Sequence, residues 1–287
     1  MLENEIKKGQ VLVDALNYIH EFAGDVVVIK YGGSAMTNEI IKQSVLKDIA
    51  VLKSVGIKPI IVHGGGKDIS NLLTKVGKET KFINGLRVTD KETLGYAEMV
   101  LSGKINKGLV QHLERIGTHA VGLSGKDGNM ITVSKKLADG KDIGFVGDVI
   151  SVDTSLIDLL LNNDYTPIIS TIGLDEKYHD YNINADDVAT AVARAMKASK
   201  LVFLTDTEGV LKDQNDPSTL ISKINTKSAK ELIADGSIDG GMMVKINNCV
   251  EAVQNDVRKV HILDGRLEHS LLIEIFTPDG AGTQIKK

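Results

Sequence analysis

Short apolar runs recur along the chain, each separated from the next by an amphipathic stretch, and this rhythm restricts the fold more than any other feature. The runs VVVIK, PIIVH and LVFLT are apolar throughout rather than alternating, as strands buried on both faces require. Candidate strands are Val26–Tyr31, Pro59–His63, Ala120–Leu123, Thr166–Thr171, Leu201–Thr205 and Val260–Leu263. Amphipathic segments lie near Glu39–Lys53, Ile69–Val76, Lys91–Leu101, Asn106–Arg115, Ser155–Asn162, Ala185–Met196 and Met242–Asp256. Such alternation makes βαβ units, so the expected fold is a three-layer α/β/α sandwich with a mainly parallel central sheet. Residues Asn129–Val152 break the rhythm and read as antiparallel hairpins, with Asp139-Gly140 at a turn. A helix over the first 24 residues precedes the first strand. Leu12, Leu16 and Ile19 mark one apolar face of it, and Val11, Ala15, Tyr18 and Phe22 another. It either caps the sheet or forms an arm on another subunit, because two apolar faces need two covering surfaces.

With 287 residues, 42% of them hydrophobic, the chain can build a sizeable core, which excludes a disordered or fibrous protein. The length suggests about two lobes. Lys plus Arg is 34 against 38 Asp plus Glu, a net charge of −4, which leaves no footprint for nucleic acid or an anionic membrane. A single cysteine, Cys249, excludes an internal disulfide or a zinc cluster and suits a reducing compartment. No run of apolar residues is long enough to span a bilayer, and MLENEIKKGQ lacks the apolar core of a signal peptide. A cytoplasmic location is expected.

Glycine is the compositional outlier, with 28 residues against 4 prolines. Many glycines follow strand ends: Gly32-Gly33 after VVVIKY, Gly64-Gly65-Gly66 after IIVH, Gly122, Gly125 and Gly128 around AVGLSGKDG, and Gly209 after LVFLTD. In open α/β sheets ligands bind outside the carboxyl ends of strands, and glycine lets backbone approach a phosphate. Any single turn is ordinary βα chemistry; the set together points to a large polyanionic ligand. A Walker A loop, a GxGxxG fingerprint, HRD and DFG kinase motifs and GxSxG are all missing. The seven histidines show no metal-binding spacing, so no metal site is expected.

Three charged residues stand out. Lys30 ends the first strand, either snorkelling or neutralising an anion at the rim. Lys245 lies early in a helix that opens at Gly240-Gly241, where a cation is unfavourable unless a ligand's charge offsets it. Asp186, in NINAD, opens another helix, either as part of its cap with Asn184 or as a carboxylate holding the two lysines.

KYGGSAM, VHGGGKDI, NGLRVTD (Asn84 to Asp90), NINAD, LTDTEGVL and DGGMMVK occur in an order that resembles the amino acid kinase family. The similarity, from about residue 26 to the end, is strongest to the members that phosphorylate N-acetyl-L-glutamate. It implies ATP-dependent phosphorylation of the γ-carboxylate to N-acetyl-L-glutamyl 5-phosphate, the second step of arginine biosynthesis. By that resemblance Lys30 and Lys245 neutralise the transferring phosphoryl group and Asp186 orients both. Gly65, Gly66, Arg87 and Asn182 hold N-acetylglutamate, Arg87 through a planar fork on the α-carboxylate. Gly33 and the stretch Asp206, Thr207, Glu208, Gly209, Val210 and Leu211, with Ser237–Asp239, line the nucleotide. ATP arrives with Mg²⁺ held largely by phosphates and water. Because the acceptor carboxylate is already ionised, the reaction needs positioning and charge neutralisation rather than a general base.

The N-terminal helix and the segment HILDGRLEHSLLIEIFTPDGAGTQI resemble the arginine-inhibited branch of the family. In that branch the helix links dimers into a hexameric ring, a trimer of dimers, and arginine binds beside it. The corresponding candidates here are Tyr18, Lys212, His269 and Glu274. The resemblance divides the chain into the helix 1–24, an acceptor lobe 25–175 and an ATP lobe 176–287, and allows docking of a PII-type signalling protein. Glutamate 5-kinases, aspartokinases, carbamate kinases and UMP kinases share the glycine loops, and a non-catalytic arginine sensor is a further alternative. NGLRVT and NINAD favour acetylglutamate, and the presence of both lysines with Asp186 argues against a dead scaffold.

Overall fold

Residues along the central strands alternate between two apolar layers, as the two-residue period of a strand dictates. The computed structural model describes residues 2–36, 38–213, 216–238 and 240–287. The parallel strands β1 (Val26–Tyr31), β2 (Lys58–His63), β5 (Ala120–Ser124), β8 (Thr166–Ser170), β11 (Lys200–Thr205) and β13 (Lys259–Asp264) carry the sheet. With β12 (Lys223–Asn225) and β14 (Gly282–Lys286) it has eight strands in the order β12-β14-β13-β11-β1-β2-β8-β5. β14 runs antiparallel to β13, so one edge reverses direction.

Val28, Ile60, Val62 and Phe203 face one layer, which contains α6 (Ser155–Asn162), α7 (Ala185–Ala195), α8 (Thr226–Ala234) and α9 (Gly240–Gln254). Val27, Ile29, Ile61 and Val202 face the other, with α2 (Glu39–Ser54), α3 (Gly66–Lys75), α5 (Asn106–Arg115) and α10 (Ser270–Phe276). The expected three-layer α/β/α sandwich is therefore the architecture. The sequence assignments agree with β1, α5 and α6 at both ends and with the other central strands to within a residue or two at each end.

Smaller elements depart from the expectation. β3 (Phe82–Ile83) and β4 (Leu86–Arg87) form a separate hairpin. The segment read as antiparallel hairpins is one pair, β6 (Ile131–Ala138) and β7 (Lys141–Val152), turning at Asp139 (φ 49°) and Gly140 (φ 73°). β9 (Ile172–Leu174) and β10 (Asp180–Ile183) close β6 and β7 into a small four-stranded barrel. No turn separates the two helices read at Lys91–Leu101 and Asn106–Arg115. α4 (Lys91–Glu98) runs through a π-helical stretch, Met99–Ile105, directly into α5.

The first helix, α1 (Leu2–Phe22), joins the rest through its C-terminal end, where Phe22 is buried and Tyr18 packs beside it, their rings 6.5 Å apart. Leu2, Ile6, Val11, Val13 and Leu16 on it are exposed. The Leu12 side chain and Asp239 lie outside the described residues. No helix among the described residues is long and apolar enough to cross a membrane.

Candidate active site

β1 is the strand at which the sheet order reverses, with β2 on one side and β11 on the other. A cleft opens at the carboxyl ends of strands on such a switch point. Three glycine-bearing loops meet there: Gly32-Gly33 after β1, Gly64–Gly66 after β2 and the Asp206–Gly209 stretch after β11. Two clefts flank Lys30 and Gly33, which line both.

The first cleft, about 260 Å³, is bounded by Gly64, Gly65 and Gly66, by Arg87 on β4 and by Asn182 on β10. Gly65 is extended, and its lack of a side chain serves packing: a Cβ would lie 2.4 Å from Ile105 Cδ1 and 2.8 Å from Leu101 Cδ2, both on the π-helical stretch. Arg87 is buried and stacked on the Phe82 ring at 4.8 Å. Its Nη2 donates to Gly66 O (2.8 Å) and Ser70 Oγ (2.9 Å), while Nη1 has no hydrogen-bond partner among the described residues. A buried, half-satisfied guanidinium at a cleft wall is a receptor for a carboxylate. Burial pulls its pKa down from the usual arginine value.

The second cleft, about 580 Å³, is lined by Thr205, Asp206, Thr207, Gly209 and Leu211, and across from them by Ser237, Ile238, Gly241, Met242 and Lys245. Gly33 here has φ +67°, and a Cβ on it would come within 2.6 Å of Asp206 Oδ1, so both conformation and space call for glycine.

Between the clefts sits the charged centre. Asp186 is the second residue of α7, whose N-cap is Asn184: the Asn184 side chain accepts from the Asp186 amide at 2.7 Å. The Asp186 carboxylate does not cap the helix. Its Oδ1 meets Lys30 Nζ at 3.0 Å and its Oδ2 accepts from Lys245 Nζ at 2.5 Å. Burial would raise this carboxyl, but the charges of Lys30 and then Lys245 outweigh it and hold the pKa at about 2. Asp186 thus stays ionised and carries two ammonium groups that converge from β1 and α9.

The strand-end glycines do not all belong to this centre. At Gly122 a Cβ would lie 1.8 Å from Asn106 Oδ1, and at Gly125 2.4 Å from Ile172 O, so these two positions serve close packing. They line neither cleft, nor does Gly128. Two residues assigned to the nucleotide also depart from it. Val210 is buried in the core, its amide donates to Thr283 Oγ1 (2.8 Å) and its carbonyl accepts from Ile221 (2.8 Å), so neither side chain nor backbone is available. Glu208 does not line the cleft; its charge is a minor contributor, behind the Asp264 hydrogen bond, to the raised pKa of Arg266.

The amino acid kinase family model matches residues 25–264, which includes every strand and helix that forms the two clefts. The chain belongs to the amino acid kinase family. Within the family it groups with acetylglutamate kinases. That of Brachyspira hyodysenteriae is 54% identical over 280 residues, 98% of this chain and 97% of that protein. That of Campylobacter jejuni RM1221 is 51% identical, covering 99% of this chain and 100% of the relative. Among solved structures, N-acetylglutamate synthase from Neisseria gonorrhoeae, complexed with coenzyme A and N-acetyl-glutamate, superposes with a TM-score of 0.85 at 26% identity over 97% of this chain. The chain spans 63% of that synthase's length. Carbamate kinase from Giardia lamblia shares the fold, with a TM-score of 0.66 at 17% identity over 92% of this chain.

The four family-based candidates outside the clefts are scattered over three elements. Tyr18 is on α1, Glu274 is on α10 and His269 precedes α10 with φ 59°. His269 Nδ1 bonds Asp48 Oδ1 at 2.6 Å, and buried Glu274 bonds His261 Nδ1 at 2.5 Å. Lys212 is an exposed residue of the loop after β11, where its amide donates to Thr219 O (3.2 Å). The lysine that meets α1 is instead Lys200, buried with its Nζ 4.1 Å from the Phe22 ring centre, where burial and Lys259 lower its pKa to about 8 although Glu274 opposes the shift. Nothing in the apolar run that begins at Lys200 marks it; only α1 folding over it does so.

Proposed function

We propose that this chain transfers the γ-phosphoryl group of ATP to the γ-carboxylate of N-acetyl-L-glutamate, giving N-acetyl-L-glutamyl 5-phosphate for arginine biosynthesis. The observation that carries this reading is the pair Lys30 and Lys245 held on one ionised carboxylate between an arginine-walled cleft and a glycine-lined one. The acceptor lies in the first cleft, its α-carboxylate on Arg87 Nη1 and its amide near Asn182 and the Gly65-Gly66 backbone. Nucleotide occupies the second, between Asp206, Thr207, Gly209 and Leu211 and the start of α9, and residues 25–175 and 176–287 supply the two sides. Asn182 and Asp186 are numbered in the second part but line the acceptor cleft.

The acceptor oxygen attacks phosphorus in line with the departing ADP oxygen, forming the acyl-phosphate bond as the bond to ADP breaks. Charge spreads over the equatorial oxygens, where Lys30 and Lys245 neutralise it. Asp186 keeps both ammonium groups in place, and no proton has to be removed from the nucleophile. Among the described residues no cluster of three or more His, Cys, Asp or Glu could hold a metal. Mg²⁺ arriving with ATP, bound through phosphate and water, would supply further charge neutralisation.

We further propose that arginine inhibits the enzyme at the junction of α1 and α10, and that α1 links dimers into a hexamer. Exposed Leu2, Ile6, Val11, Val13 and Leu16 support an arm that is covered in an assembly. An ADP-release assay with N-acetylglutamate, glutamate, aspartate and carbamate, each with and without arginine, tests the reading. Turnover of N-acetylglutamate at least about a hundredfold above the others is expected, in line with selectivity built on paired polar groups. Preference for another acceptor overturns it.

A further inference from the structure

Asp187, next to the clamp carboxylate, faces a different set of partners. Its Oδ1 accepts from Asn248 Nδ2 on α9 at 3.1 Å and its Oδ2 from Lys136 Nζ on β6 at 2.9 Å. Lys136 in turn pairs with Asp148 on β7 at 2.6 Å. Two adjacent carboxylates at the start of α7 therefore hold α9 at Lys245 and again at Asn248, three residues on and on the same helix face. A third contact between the same helices, Glu251 with Arg194, is farther out and more exposed.

A lysine side chain has four rotatable bonds, so one ion pair does not by itself fix where its ammonium stands. α9 also opens at Gly240, with φ +51°, and Gly241, neither of which anchors the helix by a side chain. We propose that the Asp187–Asn248 pair, backed by Lys136, is a positioning device that fixes the register of α9 against α7 and so sets the place of Lys245 beside the transferring phosphoryl group. Asp187 and Asn248 touch neither proposed substrate; they act through Lys245. The β6–β7 hairpin, through Lys136, makes the acceptor side of the molecule part of the same brace.

The inference rests on the phosphotransfer reading above and is tested by a mutant cycle in the intact enzyme. Asn248→Ala should lower kcat about 10- to 100-fold, the scale of a misplacement near 1 Å, with the KM of the acceptor changed less than about twofold. In a Lys245→Ala background the same substitution should cost nothing more, because its route to the reaction is already gone. Glu251→Ala, which removes another contact between the same two helices, should leave kcat at the wild-type level. A wild-type kcat in Asn248→Ala, an undiminished further loss in the Lys245→Ala background, or an equal loss in Glu251→Ala each overturns the proposal. If the wild type phosphorylates glutamate, aspartate or carbamate instead of N-acetylglutamate, the substrate assignment falls and the cycle is read on the acceptor that turns over. Hydrogen exchange of the α9 amides in Asn248→Ala gives a readout independent of any acceptor: faster exchange around Lys245 is expected, and unchanged exchange overturns the brace.

Discussion

Burial alone would push the Asp186 carboxyl upward, yet Lys30 and Lys245 hold it at about 2, so the site keeps a permanent negative charge whose work is to place two positive ones. Removing either lysine takes away charge neutralisation that is needed most in the transition state. Lys30→Ala and Lys245→Ala should each lower kcat about a hundredfold or more while KM shifts only a few-fold, as steady-state kinetics will show. Arg87 makes the opposite prediction. Its Nη2 is committed to Gly66 and Ser70, and Nη1 remains for the acceptor. With Nη2 occupied, the planar fork expected from the sequence is reduced to Nη1 alone. Arg87→Lys cannot both keep the Gly66 and Ser70 bonds and reach the acceptor, so the KM for the acceptor should rise about tenfold or more with a smaller change in kcat. Lys30 and Lys245 stand out in the sequence, one at the end of an apolar strand and the other early in a helix behind two glycines. A carboxylate at a helix start, as at Asp186, is locally favourable and reads equally as part of a cap. Asn248, Asp187 and Lys136 do not stand out, since each is an ordinary polar residue on a helix or hairpin until its partners from distant segments arrive.

The elements divide in the same way. Strands buried on both faces announce themselves by unbroken apolar runs, and β1, β2 and β11 follow those runs closely. The three-residue β12 has too few residues for a pattern, and α10, SLLIEIF, is an apolar run that reads equally as strand or helix. The π-helical stretch between α4 and α5 leaves no compositional mark, yet it sets Leu101 and Ile105 against Gly65 at the acceptor cleft. Deleting residues 1–24 removes a helix anchored by Tyr18 and Phe22 and otherwise largely exposed. The truncated protein should sediment as a dimer, keep its turnover and lose inhibition by arginine; an unaltered hexamer refutes the assignment.

Across the whole molecule, buried ionisable groups link stability to pH. His63 lies at zero exposure, bonded to Gly64 O (3.0 Å) and Asn106 Nδ2 (3.2 Å), and burial lowers its pKa from 6.5 to about 4. The folded state keeps it neutral while the unfolded chain takes up a proton below 6.5. Its contribution is therefore complete above 6.5 and lost as pH falls toward 4, on the order of 3 kcal/mol. Asp186 behaves differently: its contribution holds above 3.8 and is lost only as pH falls through about 2, so it adds nothing to that window. Denaturant midpoints should fall between pH 6.5 and 4, and His63→Gln should flatten that slope. A slope unchanged in His63→Gln places the effect on another buried group such as His261, whose pKa burial also lowers.

By itself the sequence determined the layered α/β fold and the order of its glycine loops, because strand and helix periodicity and backbone freedom are local properties carried by neighbouring residues. Its family resemblance assigned roles to the charged trio that local pattern had already singled out. Only the tertiary structure decided which glycines face the clefts and which make room for a side chain, as Gly122 does for Asn106. It also decided that Val210 belongs to the core and that Lys200 rather than Lys212 meets α1. Those outcomes depend on segments far apart in the chain approaching within a few ångströms, and no local pattern records which segments will meet.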